Sequence, residues 1–238
     1  MHKNTTIFLG LQIPLYKSTS ARIVIFACYH MNIEGKPFVI GICGGSGSGK
    51  TTLLRRLSET FASYNPSVFS MDNYYRPIDE QIKDENQVVN FDLPTALYQE
   101  KLVNDLRNLT KGNEVIVKEY FFNSPPDKNV LITIRPSKFI IVEGLFLHFF
   151  KEIPELLDFS IFVEVDHEIQ LDRRLYRDQE TRGYRREDIL YQWNNHVLPC
   201  YKQFIEPFRE KANFIFQNDH RSEGEYTRLF EKIKQILP

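Results

Sequence analysis

The fold is decided by residues 38–52, which read FVIGICGGSGSGKTT. Phe38–Cys43 is a compact, β-rich apolar run that ends in glycines. The next segment, Leu53–Phe61, has its apolar residues at helical spacing on one face. The pattern therefore predicts a buried strand, a glycine-rich turn and a helix in immediate succession.

The glycine-rich turn fits the pattern G-x-x-x-x-G-K-[ST]. Glycines let the backbone wrap closely around an anion and aim its N–H groups at phosphate oxygens. Lys50 can bring a positive charge to the β- and γ-phosphates of a nucleotide, and Thr51 can offer a hydroxyl to Mg²⁺. A turn that binds nothing is the alternative. The predicted nucleotide-binding residues are Gly44, Gly45, Ser46, Gly47, Ser48, Gly49, Lys50, Thr51 and Thr52.

Strand and helix patterns alternate from Pro37 to the end of the chain, which predicts an α/β fold with a mostly parallel, doubly wound sheet and helices on both faces. The further predicted strands are Ser67–Met71, Glu114–Val117, Phe139–Val142, Ser160–Val165 and Phe214–Phe216. The further predicted helices run from Pro94 to about Leu109, over His167–Glu180, through a long stretch interrupted at Pro199, and from about Gly224 to Ile236.

Size and charge exclude several classes of protein. The 238 residues suffice for one sizeable domain, predicted at 31–238, with residues 1–30 as a poorly ordered extension. Thirty basic and 31 acidic residues give a net charge of −1, so we expect no nucleic-acid partner. No apolar run approaches the roughly 20 residues that span a membrane. The three cysteines lack metal-site spacing and suit a reducing cytoplasm.

Other nucleotide-binding classes fit poorly. A GTPase usually carries D-x-x-G and N-K-x-D, but no Asp here has Gly three places later and no Asn precedes a Lys. Motor and helicase classes need a second domain, for which the chain is short.

Five motifs give this chain a resemblance to a known family. They are Gly44–Thr52, Ser70–Arg76, Asn90–Pro94, Val142–Gly144 and Arg173–Gly183. In order and approximate spacing they resemble uridine kinases, within the phosphoribulokinase/uridine kinase P-loop family, from about residue 38 to 219. The resemblance implies ATP, or GTP in its place, as phosphate donor with Mg²⁺, a small nucleoside as acceptor, and a homo-oligomer, often a tetramer.

The resemblance also implies roles for single residues. The residue matching Asp72 accepts the proton of the acceptor 5′-hydroxyl, and the carboxylate matching Glu143 joins Thr51 at Mg²⁺. Asp92 matches the residue that binds the ribose hydroxyls, with Tyr75 and Arg76 as neighbours in the pocket. Turn or strand-end carboxylates without these roles are the alternatives.

An arginine-rich helical lid is implied by the last motif. Arg174, Arg177 and Arg182 match positions that close over the phosphates, with Lys50 as a further catalytic cation, and Gln192 matches a substrate-site position. A solvated helix face is the alternative, in which the interleaved acids pair locally with the arginines. Those acids are Asp172, Asp178, Glu180, Glu187 and Asp188.

The base-binding segment departs from the family pattern. Tyr120 fits the family aromatic, whereas Lys118 replaces a tyrosine and Asn123 replaces a histidine. Asn123 can still donate a hydrogen bond to a base carbonyl. We therefore predict a cytoplasmic kinase of uridine or cytidine, active in pyrimidine salvage. The alternatives are a kinase for a sugar, a phosphosugar or pantothenate, and a nucleotide-binding regulator without catalysis.

Overall fold

The computed structural model describes residues 35–121 and 130–237. The predicted extension 1–30 and the predicted substrate residue Asn123 lie outside these ranges. The strands are β1 (Phe38–Gly44), β2 (Ser67–Ser70), β3 (Val115–Lys118), β4 (Leu131–Ile134), β5 (Phe139–Glu143), β6 (Phe159–Glu164) and β7 (Phe214–Gln217). The α-helices are α1 (Lys50–Thr60), α2 (Gln99–Thr110), α3 (His167–Arg182), α4 (Arg186–Gln192), α5 (Leu198–Phe204) and α6 (Ser222–Ile236).

Five of the strands form one parallel sheet in the order β2-β5-β1-β6-β7, and β3 and β4 form a separate antiparallel pair. All five residues of β5 are buried, as expected for a central strand covered on both faces. One apolar cluster joins the sheet to α1 and α6, and a second joins its other face to α2. The predicted doubly wound sheet is confirmed.

Two predicted elements differ from the structure, and one strand was not predicted. Pro94 begins only a short 3₁₀ turn, and α2 starts at Gln99, because Leu97 is held extended by a bridge to Tyr75. Strand β4 was not predicted. The break expected at Pro199 lies earlier, as a π-helical turn over Trp193–Val197, since a proline in the first turn of α5 needs no N–H partner.

No helix in the described part of the chain is both long and apolar enough to cross a bilayer.

The packing of α1 on the sheet gives a stability prediction. Leu57 is fully buried, whereas the Leu131 side chain is 68% exposed. We expect Leu57→Ala to lower the free energy of unfolding by about 3 kcal/mol, because it removes a packed side chain and leaves a cavity. Leu131→Ala, the matched control, is expected to change it by less than about 0.5 kcal/mol. Urea unfolding measures both, and equal losses would contradict the assignment of the core.

Candidate active site

The loop between β1 and α1 forms a tight cradle at the carboxyl end of the sheet. Gly47 has a φ of 77°, and a Cβ there would lie 2.6 Å from the Gln170 carbonyl oxygen. A Cβ on Gly44 would lie 2.5 Å from the Val163 carbonyl oxygen. Both positions therefore require glycine for the backbone to take this path.

The polar groups of the cradle suit an anion. The Ser48 hydroxyl is buried and has no hydrogen-bond partner among the described residues. Lys50 opens α1, and its Nζ donates to the Gly45 carbonyl oxygen at 3.0 Å, so the ammonium lies over the loop. An amide-lined loop at a helix N-terminus with one cation is a phosphate-binding arrangement.

A cleft of about 520 Å³ extends from this loop. It brings together most of the predicted site residues, which come from separate motifs of the sequence. The predicted residues that line it are Ser46, Gly47, Gly49, Lys50, Thr51, Thr52, Asp72, Tyr75, Asp92, Tyr120, Glu143, Arg174, Arg177, Arg182 and Gln192. Gly44, Gly45 and Ser48 are buried in the loop.

Two carboxylates, Asp72 and Glu143, line the cleft at or just beyond the ends of the neighbouring strands β2 and β5. Ser70 is paired in register with Glu143, and its hydroxyl donates to Glu143 Oε1 at 2.5 Å. The same hydroxyl accepts the Asp72 backbone N–H at 3.3 Å. Ser70 thus links the 3₁₀ turn that follows β2, Met71–Tyr74, which contains Asp72, to the carboxylate of β5.

The electrostatics of the cleft shift the Asp72 carboxyl. Burial, and after it repulsion by Glu143, raise the pKa of Asp72, and the net value is about 6. Lys50, Arg182 and Arg177 oppose the rise as neighbouring cations. A carboxyl with such a pKa is ionised at neutral pH and can accept a proton near neutrality.

The donor set also fits a magnesium ion. Glu143 is buried at the edge of the cleft, and Thr51 lies in the first turn of α1. The described residues contain no group of three or more His, Cys, Asp or Glu side chains that could hold a metal by themselves. One carboxylate and one hydroxyl suit Mg²⁺, which usually completes its shell with water and substrate phosphates.

Helix α3 turns its arginines towards the loop. Arg174 is buried, and its Nη1 donates to the Ser46 hydroxyl at 3.0 Å. Its Nη2 donates to Gln192 Oε1, also at 3.0 Å, which links α3 to α4. Arg173, which was not among the predicted site residues, donates to the Ser48 carbonyl oxygen at 3.4 Å. The solvated-face alternative therefore fails for Arg174.

The opposite wall of the cleft is aromatic. The Tyr75 ring lies 6.1 Å from Phe91 and 5.2 Å from Tyr120, centroid to centroid. Asp92 stands beside this wall, and burial raises the pKa of its carboxyl. Its backbone N–H donates to Asn90 Oδ1 at 3.0 Å.

Two residues of the predicted substrate region point elsewhere. Arg76 does not line the cleft: its Nε donates to the Thr95 carbonyl oxygen at 3.1 Å, and its guanidinium lies 4.5 Å from the centre of the Tyr98 ring. Lys118 is exposed on β3 and is likewise absent from the cleft lining. Lys118 is therefore not part of the described wall of the cleft.

Sequence reasoning missed a polar cluster around His196. Its Nε2 lies 2.7 Å from Asp84 Oδ2, which also accepts the Tyr191 hydroxyl at 2.7 Å. His196 lines the cleft, while Asp84 belongs to the segment that leads to Asp92. Asp84 is more than 100 residues from both His196 and Tyr191 in the sequence, and no local motif predicts their contact.

A single cleft is lined both by cations that can bind a polyphosphate and by carboxylates that can orient a hydroxyl. Phosphoryl transfer requires this arrangement, because its catalysis rests on positioning and charge stabilisation. The fold and the site together define a P-loop phosphotransferase.

Comparisons with known proteins narrow this class. A model of the phosphoribulokinase/uridine kinase family matches residues 39–223. A uridine kinase of Macrococcus caseolyticus is 34% identical over 202 residues, which are 85% of this chain and 98% of that protein. A uridine kinase of Clostridium novyi is 32% identical over 202 residues, 85% of this chain and 97% of that protein. The chain belongs to the phosphoribulokinase/uridine kinase family and is an ATP-dependent kinase.

A solved structure agrees on the fold. Phosphoribulokinase from Rhodobacter spheroides superposes with a TM-score of 0.60 at 17% identity, over 76% of this chain and 70% of that one. At this identity the likeness concerns the architecture alone.

Proposed function

We propose that the protein transfers the γ-phosphate of ATP to the 5′-hydroxyl of a pyrimidine nucleoside, converting uridine or cytidine to its monophosphate in pyrimidine salvage. One observation carries the proposal: Asp72 and Glu143 line the same cleft as the Lys50 loop, and the Ser70 hydroxyl contacts both the Glu143 carboxylate and the Asp72 backbone N–H. The names of the curated relatives support the choice of nucleoside.

The proposed roles follow from the chemistry of each group. Lys50 and the amides of residues 44–52 hold the β- and γ-phosphates. Thr51 and Glu143 hold Mg²⁺, which neutralises phosphate charge when bound. Asp72 orients the acceptor hydroxyl and takes its proton, while Asp92 accepts hydrogen bonds from the ribose.

The aromatic wall gives the base a surface to pack against. Tyr75 and Tyr120 form this wall on the acceptor side, and Gln192 and Asn123 complete the predicted substrate contacts. The arginines of α3 neutralise charge on the transferring group, since a planar guanidinium suits phosphate oxygens. The homotetramer implied by the family resemblance stays a prediction.

A substrate panel tests the proposal. Purified protein with Mg²⁺ and ATP is given uridine, cytidine, the purine nucleosides, free ribose, a phosphosugar and pantothenate, and ADP release is followed. We expect kcat/KM to be highest for uridine or cytidine. Turnover of only a sugar or pantothenate would replace the acceptor, and ATP binding without turnover of any acceptor would favour the regulator.

The pKa of Asp72 gives a pH prediction. The ionised carboxylate is the active form, so kcat/KM is expected to fall to half of its plateau at about pH 6 and to approach a tenfold loss per unit at lower pH. Arg182→Ala removes a cation that lowers the pKa of Asp72, so it should move this acid limb to higher pH. A limb that stays in place in Arg182→Ala would contradict the assignment.

A further inference from the structure

One buried carboxylate lies behind the arginines of the cleft. The Asp178 side chain is 1% exposed and is absent from the cleft lining. Its Oδ1 lies 2.8 Å from Arg177 Nε and 3.1 Å from Arg182 Nη1. Its Oδ2 lies 3.3 Å from Arg174 Nε, an electrostatic contact without hydrogen-bond alignment. Three cations that face the cleft therefore share one anion.

The contacts reach the arginines from behind. Arg174 and Arg177 both approach Asp178 through Nε, so neither contact uses their terminal nitrogens. The terminal nitrogens of Arg174 face the loop and α4, where they meet Ser46 and Gln192. For Arg177, the contact at Nε leaves the two terminal nitrogens outside the pair with Asp178, where they can donate to a phosphate.

The backbone of Asp178 fixes the third arginine. Its carbonyl oxygen accepts the N–H of Gly183, which ends α3 in a left-handed conformation with φ of 70°, and the N–H of Tyr184. Arg182 is the last residue of α3, so this cap fixes the backbone position of Arg182.

Crowding of like charges makes such an anchor necessary. Burial lowers the pKa of Arg182, repulsion by Arg177 lowers it further, and attraction by Asp178 opposes both. Without a shared anion, three guanidiniums in a half-buried cluster repel one another and spread apart.

We propose that Asp178 is a positioning residue: it holds the three arginines in one fixed arrangement facing the phosphate loop, without itself touching either substrate. The inference rests on the proposed function, because it assigns the arginines to the transferring phosphoryl group. It predicts that loss of the anchor affects transfer more than binding.

Asp178→Asn tests this by separating kcat from KM. We expect kcat to fall about tenfold to thirtyfold, while KM for ATP and for the nucleoside change less than about threefold. The lost negative charge alone would act in the other direction, by strengthening the attraction for polyphosphate. Glu180→Gln is the matched control, since it removes the same charge from an exposed position of α3 and should leave kcat unchanged. A kcat within threefold of wild type overturns the proposal.

A second variant covers a failure to fold. Asp178→Glu keeps the anion but displaces it by one methylene, so thermal unfolding should stay near wild type while kcat falls about tenfold. Wild-type kcat in this variant contradicts a fixed arrangement.

A measurement without an acceptor separates this inference from the proposed function. Aluminium fluoride mimics the transferring phosphoryl group and is expected to tighten ADP binding to the wild type. Asp178→Asn should lose at least threefold of that tightening, with binding of ADP alone unchanged. Equal tightening in both proteins, or none in the wild type, overturns the role of Asp178. If the wild type phosphorylates no nucleoside of the panel, the proposed function alone is contradicted.

Discussion

Lys50→Ala is expected to reduce kcat/KM by about 10³-fold or more, a loss of about 4 kcal/mol of transition-state stabilisation. The Lys50 ammonium lies over the phosphate loop, 3.0 Å from the Gly45 carbonyl oxygen. From this position it can follow the charge that develops between the β- and γ-phosphates during transfer. No other lysine lines the cleft within the described residues.

Steady-state kinetics and calorimetric titration with Mg²⁺ and ATP measure the effect of this change. Lys111→Ala is the control, because it removes an exposed lysine just beyond α2. Its kcat/KM should remain within twofold of wild type. Unaltered nucleotide affinity together with unaltered activity in Lys50→Ala would end the nucleotide-binding interpretation of the loop.

Asp72→Asn is expected to lower kcat by about 10²- to 10⁴-fold, because an amide cannot take the proton of the acceptor hydroxyl. An amide also lacks the two acceptor oxygens with which a carboxylate orients that hydroxyl. ATP affinity should change less than about threefold, since the side chain serves the acceptor. The substitution conserves size, and the backbone contact from Asp72 to Ser70 remains available.

Asp79→Asn provides the matched control. Asp79 is exposed in the neighbouring 3₁₀ turn, Ile78–Glu80, so its loss should leave kcat within twofold of wild type. The acid limb near pH 6 should also vanish in Asp72→Asn. A loss of less than tenfold in kcat would argue against the proton-accepting role.

The phosphate loop illustrates what local sequence can predict. Glycines that allow positive φ, a lysine and a hydroxyl at fixed spacing, and flanking strand and helix patterns all act within about 20 residues. The central strands were also readable, since Phe139–Val142 is a continuous apolar run and is fully buried. Element ends were less accurate, because the bridge between Leu97 and Tyr75 delays the start of α2.

The contact partners of single side chains could not be predicted without the folded structure. Asp178 belongs to the same motif as the arginines, yet the sequence also allowed it to pair with them on a solvated helix face. Only the structure shows that Asp178 is 1% exposed and lies within ion-pair distance of three arginines. Arg76 shows the reverse case, since the motif placed it in the pocket and the structure places its guanidinium over Tyr98.

The sequence by itself determined the class of fold, the position of the phosphate loop and the family resemblance, because these depend on neighbours along the chain. The tertiary structure alone decided which polar groups from distant parts of the sequence meet. Ser70 reaches Glu143 across 73 residues, and His196 reaches Asp84 across 112. Such contacts depend on strand order and helix packing, which burial of the whole core sets and no local pattern encodes.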